Sequence, residues 1–236
     1  MITRSITTQP AHNKVVQAFA RQVAQSVRPG DAVLDVGAGH GRRRYLEHIV
    51  SRGPHLVGVD PDPRVHDNPN LSEAHQSSME EFAAEYEARF DLALSIFVLE
   101  HVADPGAFTA ACARVLRPGG HLFALTPNML HYFGLTTWVL TRLGLSDRVL
   151  TRLKGDQVVD GYHFPTQYRM NTVGALTRHL DRAGFSRVEF ACFEWPGGTG
   201  WYLPRGARWV APAYQHAVYA VNAPRLMGCL SFHAQR

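Results

Sequence analysis

The chain of 236 residues contains very little lysine and very little cysteine, and it lacks a long uninterrupted apolar run. Lys14 and Lys154 are the only lysines, so arginine carries almost all of the positive charge. No block of six like charges is present, which argues against a nucleic-acid-binding tail. The stretch at residues 131–145 is apolar, but it is interrupted by Thr, Arg and Gly and is too short to span a bilayer.

The cysteines are odd in number and far apart, at Cys112, Cys192 and Cys229. This arrangement provides no disulfide framework and no CxxC pair for a metal or for redox chemistry. We therefore expect three reduced thiols in or near the core. The first ten residues have no apolar segment of the kind found in a signal peptide, so we expect a cytoplasmic protein without a membrane partner.

The composition provides for a sizeable core, with 45% hydrophobic and 19% charged residues and a mild net charge of +4. Candidate strands and helices alternate along the chain, which predicts one α/β domain over residues 1–236 with a mostly parallel sheet and helices on both faces. Seven strands are predicted, at residues 32–36, 55–60, 71–75, 90–96, 121–126, 186–193 and 227–235. Helices are predicted at residues 15–27, 42–50, 78–88, 105–116 and 171–183, with Ser78 and Asp104 as N-caps.

Two long insertions follow the fifth and sixth predicted strands, at about residues 128–168 and 195–224. Both are rich in aromatic residues. Compact domains seldom keep such long connections without a use for them. We therefore expect the insertions to form a lid over a substrate, with aromatic walls in the second one.

A glycine-rich turn at residues 37–41 follows a predicted strand directly and precedes a helix. Gly37 and Gly39 permit a tight turn and let a ligand approach the backbone. Asp35, just before the turn, would repel a pyrophosphate but suits a ligand with an ammonium group. Asp60, at the end of the next strand, can accept hydrogen bonds from both ribose hydroxyls. Together these residues predict a ligand in which a nucleoside carries an amino acid.

This pattern resembles motif I and the acidic second strand of class I S-adenosylmethionine (SAM) dependent methyltransferases. Residues 90–95 (FDLALS), 99–105 (LEHVADP) and 116–120 (LRPGG) resemble further segments of that family, in the same order and at the same intervals. The resemblance extends over about residues 33–126 and is to the broad group that includes ubiquinone-pathway and many natural-product enzymes. It implies a Rossmann-like seven-stranded sheet, SAM as cofactor and S-adenosylhomocysteine as product.

The resemblance also implies which residues bind the cofactor. The family often has an acidic residue near the adenine, whereas residues 76–79 (QSSM) contain none, so Ser78 and Met79 would contact adenine through backbone and hydroxyl groups. The implied set is Asp35, Gly37, Ala38 and Gly39 at the methionine end, Asp60 and Pro61 at the ribose, Ser78 and Met79 at the adenine, and Ser95, Ile96 and Phe97 at the sulfonium end.

No catalytic metal is expected. In some related enzymes an ExxEH pattern binds Mg²⁺, but here Phe97 stands where the first carboxylate would be, before Glu100 and His101. One Glu and one His are a poor set for Mg²⁺, which prefers an octahedral oxygen site.

Methyl transfer from a sulfonium is an in-line displacement, so the protein mainly aligns the reactants and excludes water. A general base matters only where the acceptor is a phenol or an alcohol. Arg169 could clamp a substrate carboxylate or cap a helix, and Arg42, Arg43 and Arg44 could face the cofactor, a substrate anion or solvent. The candidate bases are His131, His163, Tyr168 and His101, with Tyr132 and Tyr162 beside them.

Four functions remain open from the sequence. The expected one is methyl transfer to a small organic metabolite, aromatic or carboxylate-bearing, with no nucleic-acid partner. An RNA or protein methyltransferase is the alternative, although residues 95–98 (SIFV) replace the [DN]PP[YF] motif of enzymes that methylate base amines. A nicotinamide oxidoreductase requires GxGxxG, which is absent. No sequence feature excludes a protein that binds SAM without turnover.

Overall fold

The computed structural model describes residues 3–12, 14–41, 46–145, 165–200, 203 and 205–236. One sheet contains eight strands: β1 (Thr3–Thr8), β2 (Ala32–Val36), β3 (His55–Asp60), β4 (Glu73–Gln76), β5 (Phe90–Ile96), β6 (Leu116–Pro127), β7 (Arg187–Phe193) and β8 (Cys229–Gln235). The helices are α1 (Val15–Ser26), α2 (Glu47–Val50), α3 (Met79–Glu85), α4 (Pro105–Val115), α5 (Tyr132–Arg142), α6 (Val173–Arg182), α7 (Pro196–Thr199) and α8 (Val210–Ala220).

The strand order is β1-β7-β8-β6-β5-β2-β3-β4, and only β8 runs antiparallel to its neighbours. The sheet separates two apolar cores. Helices α1 and α2 pack into one core through residues such as Phe19 and Ile49. Helices α3, α4 and α6 pack into the other through residues such as Phe82, Cys112 and Leu176. The predicted α/β class, with a mostly parallel sheet and helices on both faces, is confirmed.

All seven predicted strands are present, but the expected number is one too low. The additional strand, β1, has the sequence TRSITT and pairs in parallel with β7 at the edge of the sheet. Ile6 is its only aliphatic residue. An edge strand of this composition buries little apolar surface, so it shows neither an apolar run nor an alternating pattern.

The end of α4 differs from the expected turn at residues 117–120. The helix begins as predicted, because the Asp104 carboxylate accepts hydrogen bonds from the N–H groups of Gly106 (2.9 Å) and Ala107 (3.0 Å). It ends at Val115, and the following residues already belong to β6. Phe90 is opposite Leu116 and Leu92 is opposite His121, so residues 117–120 form an irregularity within the strand pairing.

The other expectations for local structure have mixed outcomes. Ser78 forms the predicted capping box with Glu81 at the start of α3. The helix expected over residues 42–50 is described only from Glu47 to Val50, because residues 42–45 lie outside the described residues. All three cysteines are buried free thiols. No helix in the described part of the chain is long and apolar enough to cross a membrane, and the cytoplasmic location stays a prediction.

Candidate active site

The sequence motifs assigned to the cofactor meet where the parallel strands β2, β3 and β5 end. We call these carboxyl ends of the three strands the cofactor edge. From β2 the chain order leads to β3 and β4 on one side, while β5 and β6 lie on the other. Ligands of open α/β sheets bind in the crevice at such a switch point. Gly37, with φ +77°, lies against Val98 of the loop after β5, and a β-carbon at this position would overlap the valine side chain.

The Asp60 carboxylate holds the glycine turn against the end of β3. It is only 6% exposed. One oxygen accepts a hydrogen bond from the Gly39 N–H (2.9 Å) and the other accepts one from the Asp62 N–H (2.8 Å). Each carboxylate oxygen can accept more than one hydrogen bond, so these two contacts do not prevent Asp60 from accepting hydrogen bonds from ribose hydroxyls.

The buried environment of the Asp35 carboxylate suits a bound cation. Its side chain is 1% exposed, and among the described residues its Oδ2 atom has no hydrogen-bond partner. Burial, reinforced by the charge of Asp60, raises the pKa of Asp35 to about 7. The hydroxyl of Ser95, on the neighbouring strand, is also buried without a partner in the described part of the chain. Because buried polar groups in proteins are normally paired, both groups indicate a ligand at this edge.

These residues fit SAM. Gly39 has φ +52°, and a β-carbon there would meet no atom of the described residues within 4 Å, so the turn is tightly bent and has open space beside it in this part of the structure. A buried carboxylate suits an ammonium group, because a charge removed from water needs an opposite charge or hydrogen bonds. Asp35 would hold the ammonium group of SAM and Asp60 would hold its ribose.

The residues assigned to adenine lie next to Asp60. The Ser77 N–H donates to the Asp60 carbonyl (3.1 Å), which places the start of α3 beside the end of β3. The Ser78 hydroxyl donates to Glu81 Oε2 (2.8 Å) and accepts from the Glu81 N–H (3.2 Å), so it is engaged in the capping box. Met79 is buried in the core beneath. Pro61 is exposed at the strand end.

Phe97 connects the cofactor edge to the second insertion. It follows Ile96 at the end of β5, has φ +57° and donates its N–H to the Leu125 carbonyl (2.8 Å). Its ring stacks on Trp195, with 5.5 Å between the ring centres and 8° between the planes. A non-glycine residue with positive φ is strained, and such residues cluster at functional sites. The second insertion therefore begins at this edge.

The end of the first insertion is joined to the loop after β5. The Glu100 carbonyl accepts hydrogen bonds from the N–H groups of Gln167 (2.6 Å) and Tyr168 (3.1 Å). His101 Nδ1 lies 3.3 Å from the Pro165 carbonyl, and Arg169 Nη1 donates to the Ala103 carbonyl (2.8 Å). Two of the predicted bases, His101 and Tyr168, thus lie together in this seam between residues 99–103 and 165–171, and Arg169 binds backbone there.

A buried polar network lies beneath this seam. The Asn171 amide is oriented so that its oxygen accepts from Thr126 Oγ1 (2.6 Å) and from the Glu100 N–H (3.2 Å), while its nitrogen donates to the Leu99 carbonyl (3.3 Å). Glu100 Oε2 lies 3.1 Å from Thr126 Oγ1, and it can donate to this hydroxyl when its carboxyl group is protonated. Burial raises the pKa of Glu100 to about 7, which agrees with a protonated carboxyl group.

His131 lies in a separate buried cluster. It is 1% exposed, its Nδ1 accepts from the Phe133 N–H (3.3 Å) at the start of α5, and its Nε2 is 3.5 Å from Glu194 Oε2. The other oxygen of Glu194 accepts from the Gly228 N–H (2.9 Å). Tyr214 of the second insertion packs edge-on against His131, with 4.9 Å between the ring centres. This cluster joins the two insertions.

The remaining predicted site residues cannot be placed. His163, Tyr162 and Arg42, Arg43 and Arg44 lie outside the described residues. Within the described ranges, no group of three or more His, Cys, Asp or Glu side chains could hold a metal ion; the expectation of no catalytic metal stays a prediction. The sequence analysis missed the network of Glu100, Thr126 and Asn171, the partnership of His131 with Glu194, and Asn68 beside the glycine turn.

The fold is that of class I SAM-dependent methyltransferases. A family model described as a methyltransferase domain matches residues 11–189, and the chain belongs to this family. The resemblance found in the sequence is thereby confirmed, and SAM is the cofactor of the class.

Curated relatives match part of the chain. An enzyme of Aromatoleum aromaticum named ubiquinone biosynthesis O-methyltransferase is 37% identical over 107 residues, which cover 42% of this chain and 45% of that protein. The protein of the same name from Hahella chejuensis is 38% identical over 108 residues, covering 42% of this chain and 44% of that protein. The match thus spans less than half the length of these relatives.

Solved structures resemble nearly the whole chain in fold. A SAM-dependent methyltransferase from Archaeoglobus fulgidus has a TM-score of 0.61 at 17% identity, with 95% of each chain covered. Phosphoethanolamine N-methyltransferase 2 of Haemonchus contortus, solved in complex with SAM, has a TM-score of 0.56 at 14% identity and covers 94% of this chain and 52% of that one. At these identities the likeness shows the fold.

The affinity for SAM is expected to fall as the pH falls below 7. Asp35 must be ionised to pair with an ammonium group, and in the free protein its pKa is about 7. Below that pH, binding must release the Asp35 proton, so the Kd for SAM should rise about five- to tenfold between pH 7.5 and pH 6. Isothermal titration calorimetry in buffers of different ionisation enthalpy would measure both the Kd and the proton release.

The Asp35→Asn variant is the control for this experiment. It should bind SAM more weakly and should show only the pH dependence of the ligand's own amino group. Ser95→Ala, which keeps the carboxylate, should retain the wild-type pH profile. A wild-type Kd that stays constant between pH 7.5 and pH 6 would contradict the role of Asp35.

Replacing Glu100 by Gln should raise the free energy of unfolding relative to the wild type, and this gain should be larger at high pH than at low pH. In the wild type, the unfolded chain releases the Glu100 proton above about pH 4.5 and the folded chain only above about pH 7, so stability falls across this interval. Gln carries no such proton and can donate to Thr126 at any pH. Urea unfolding at pH 5 and pH 8 should show the variant gaining about 2–3 kcal/mol on the wild type between the two; parallel pH curves would refute a buried neutral Glu100.

Proposed function

We propose that this chain transfers the methyl group of SAM to a small aromatic acceptor. The observation that carries the proposal is the attachment of both insertions to the cofactor edge. The first insertion is tied there by the Glu100 carbonyl to Gln167 and Tyr168, and the second by the stack of Trp195 on Phe97. Walls that close over a cofactor suit a small ligand more than a long polymer.

The two insertions, about residues 128–168 and 195–224, would then be the walls of an acceptor pocket within one domain. Their mutual attachment supports this view, because His131 of the first faces Glu194, directly before the second, and packs against Tyr214 within it. The name that the curated relatives carry, ubiquinone biosynthesis O-methyltransferase, supports an organic acceptor as well.

An aromatic ring is the acceptor chemistry that the site favours. Phe97 and Trp195 are both half-buried and parallel, and aromatic faces bind further rings by offset stacking. Arg169, the candidate clamp for a carboxylate, donates instead to the Ala103 carbonyl (2.8 Å). We therefore propose recognition by stacking and not by a carboxylate clamp.

In the reaction, bound SAM supplies a methyl group that is already activated by its sulfonium. Asp35 would neutralise the ammonium group and Asp60 would hold the ribose, so that the cofactor has one orientation. Phe97 and Trp195 would exclude water and align the acceptor, whose bond to the methyl group forms as the bond to sulfur breaks. A phenolic acceptor loses its proton in the same step.

His101 is the residue that we propose as the base for a phenolic acceptor. The contact of Nδ1 with the Pro165 carbonyl (3.3 Å) requires the proton to be on Nδ1, because a carbonyl only accepts. Nε2 is then the basic nitrogen. His131 directs Nδ1 to the Phe133 N–H and Nε2 to Glu194, which suits a positioning role. His163 stays a prediction.

Label transfer from methyl-tritiated SAM is the first test. The protein is incubated with a lysate that is then separated into small-molecule and macromolecular fractions. We expect the label in an aromatic small molecule, and we expect the transfer to survive EDTA. Label in RNA or protein would contradict the proposal, and tight SAM binding with no transfer to any fraction would favour a binding protein without turnover.

The His101→Gln variant tests the assignment of the base. With a phenolic acceptor at pH 7, kcat should fall about 100-fold while the Kd for SAM stays unchanged. The control is His55→Gln, because His55 lies at the opposite end of β3 and contacts Glu73 (2.9 Å). Unchanged kcat in the His101 variant would remove His101 from the mechanism.

A further inference from the structure

Two asparagine side chains hold the carbonyl groups of the glycine turn. Asn68 is 5% exposed, and its Nδ2 donates to the carbonyls of Ala38 (3.1 Å) and Gly39 (3.3 Å). Its Oδ1 accepts from the Asn70 N–H (3.1 Å). Asn70 Nδ2 in turn donates to the Gly41 carbonyl (3.3 Å). The amides therefore contact the turn along most of its length.

The residues around Asn68 and the glycine turn are closely packed. Gly41 has φ +67°, and a β-carbon there would overlap the Asn68 amide. Gly58 of β3 has no room for a β-carbon either, because Leu71 and Ala38 lie over it, with the Ala38 β-carbon 2.9 Å from that position. The turn is thus enclosed between β3 and the segment of residues 68–71.

Gly39 is held from two sides. The Asp60 carboxylate accepts from its N–H (2.9 Å), and the Asn68 amide donates to its carbonyl (3.3 Å). A turn with three glycines at positive φ has large conformational freedom when it is not held. A binding loop that is ordered before the ligand arrives avoids the entropic cost of ordering during binding.

We propose that Asn68 is a positioning residue for SAM, which fixes the glycine turn in its cofactor-binding conformation and thereby sets the affinity for the cofactor. The inference rests on the proposed function and adds a residue that acts through the glycine turn. The amide is required because one planar group must donate to two carbonyls and accept from an N–H. A carboxylate at this position would face the two carbonyls without a donor.

Variants of the full chain with Asn68→Asp and Asn68→Ala test this inference by calorimetric titration with SAM and with S-adenosylhomocysteine. We expect the Kd for both to rise at least tenfold in Asn68→Asp and about fivefold in Asn68→Ala. At saturating SAM, kcat and the KM for the acceptor should stay within twofold of the wild type. Asn68→Ser, which keeps one donor, should lie between the wild type and Asn68→Ala and is available if Asn68→Asp does not fold.

Asn128→Ala is a matched control. Asn128 is also buried, and its Nδ2 donates to two backbone carbonyls, those of Arg225 (2.8 Å) and Met227 (2.7 Å), away from the glycine turn. Its loss should lower the melting temperature about as much as Asn68→Ala does, but leave the Kd for SAM unchanged. Hydrogen exchange should be faster at residues 37–41 in the Asn68 variants only.

Distinct outcomes separate the two hypotheses. An unchanged Kd for SAM in folded Asn68 variants would overturn the inference and leave the proposed function standing. An equal rise of the Kd in Asn128→Ala would also overturn it, because the effect would then follow from general stability. A wild-type protein that binds no SAM would overturn the proposed function itself, and the inference with it.

Discussion

The attachment of the glycine turn to the end of β3 is the constraint on which the candidate site depends. The Asp60 carboxylate accepts hydrogen bonds from the N–H groups of both Gly39 and Asp62. A single side chain thus fixes the position of the glycine turn and the path of the chain directly after β3. Asp35 and Asp60 then stand at the ends of adjacent parallel strands. The charge of Asp60 adds to burial in raising the pKa of Asp35, and an ammonium group bound there would stabilise the ionised carboxylate.

Local structure was predictable where neighbouring residues determine it. The capping box at Ser78 and the cap at Asp104 depend on side chains that reach N–H groups two or three residues away. Buried strands such as β2 (AVLDV) and β5 (FDLALSI) are mostly apolar. In contrast, β1 depends on β7, which lies far along the chain, and its polar residues show no pattern. Residues 117–120 look like a turn and form an irregularity in the strand pairing, whereas Leu116 and His121 on either side of them pair with β5.

The candidate site divides in the same way. Asp35, Asp60 and the glycines could be proposed from the sequence because one motif and one strand end contain them. Asn68, the pair of His131 with Glu194, and the network of Glu100, Thr126 and Asn171 could not, because each depends on partners 26 to 63 positions distant along the chain. Composition and periodicity describe one element at a time, so they do not predict contacts between elements that are distant along the chain.

The position of β8 has a consequence for how the protein is made. β8 lies between β6 and β7, and β1 pairs with β7. During synthesis the ribosome finishes β8 last of the eight strands, so β1 and β7 have no link through the sheet to β6 until then. The strands that carry the candidate cofactor residues, β2, β3 and β5, are complete long before. The nascent chain can therefore pair β2, β3 and β5 early, whereas β1 and β7 can join the rest of the sheet only after β8 has been synthesised.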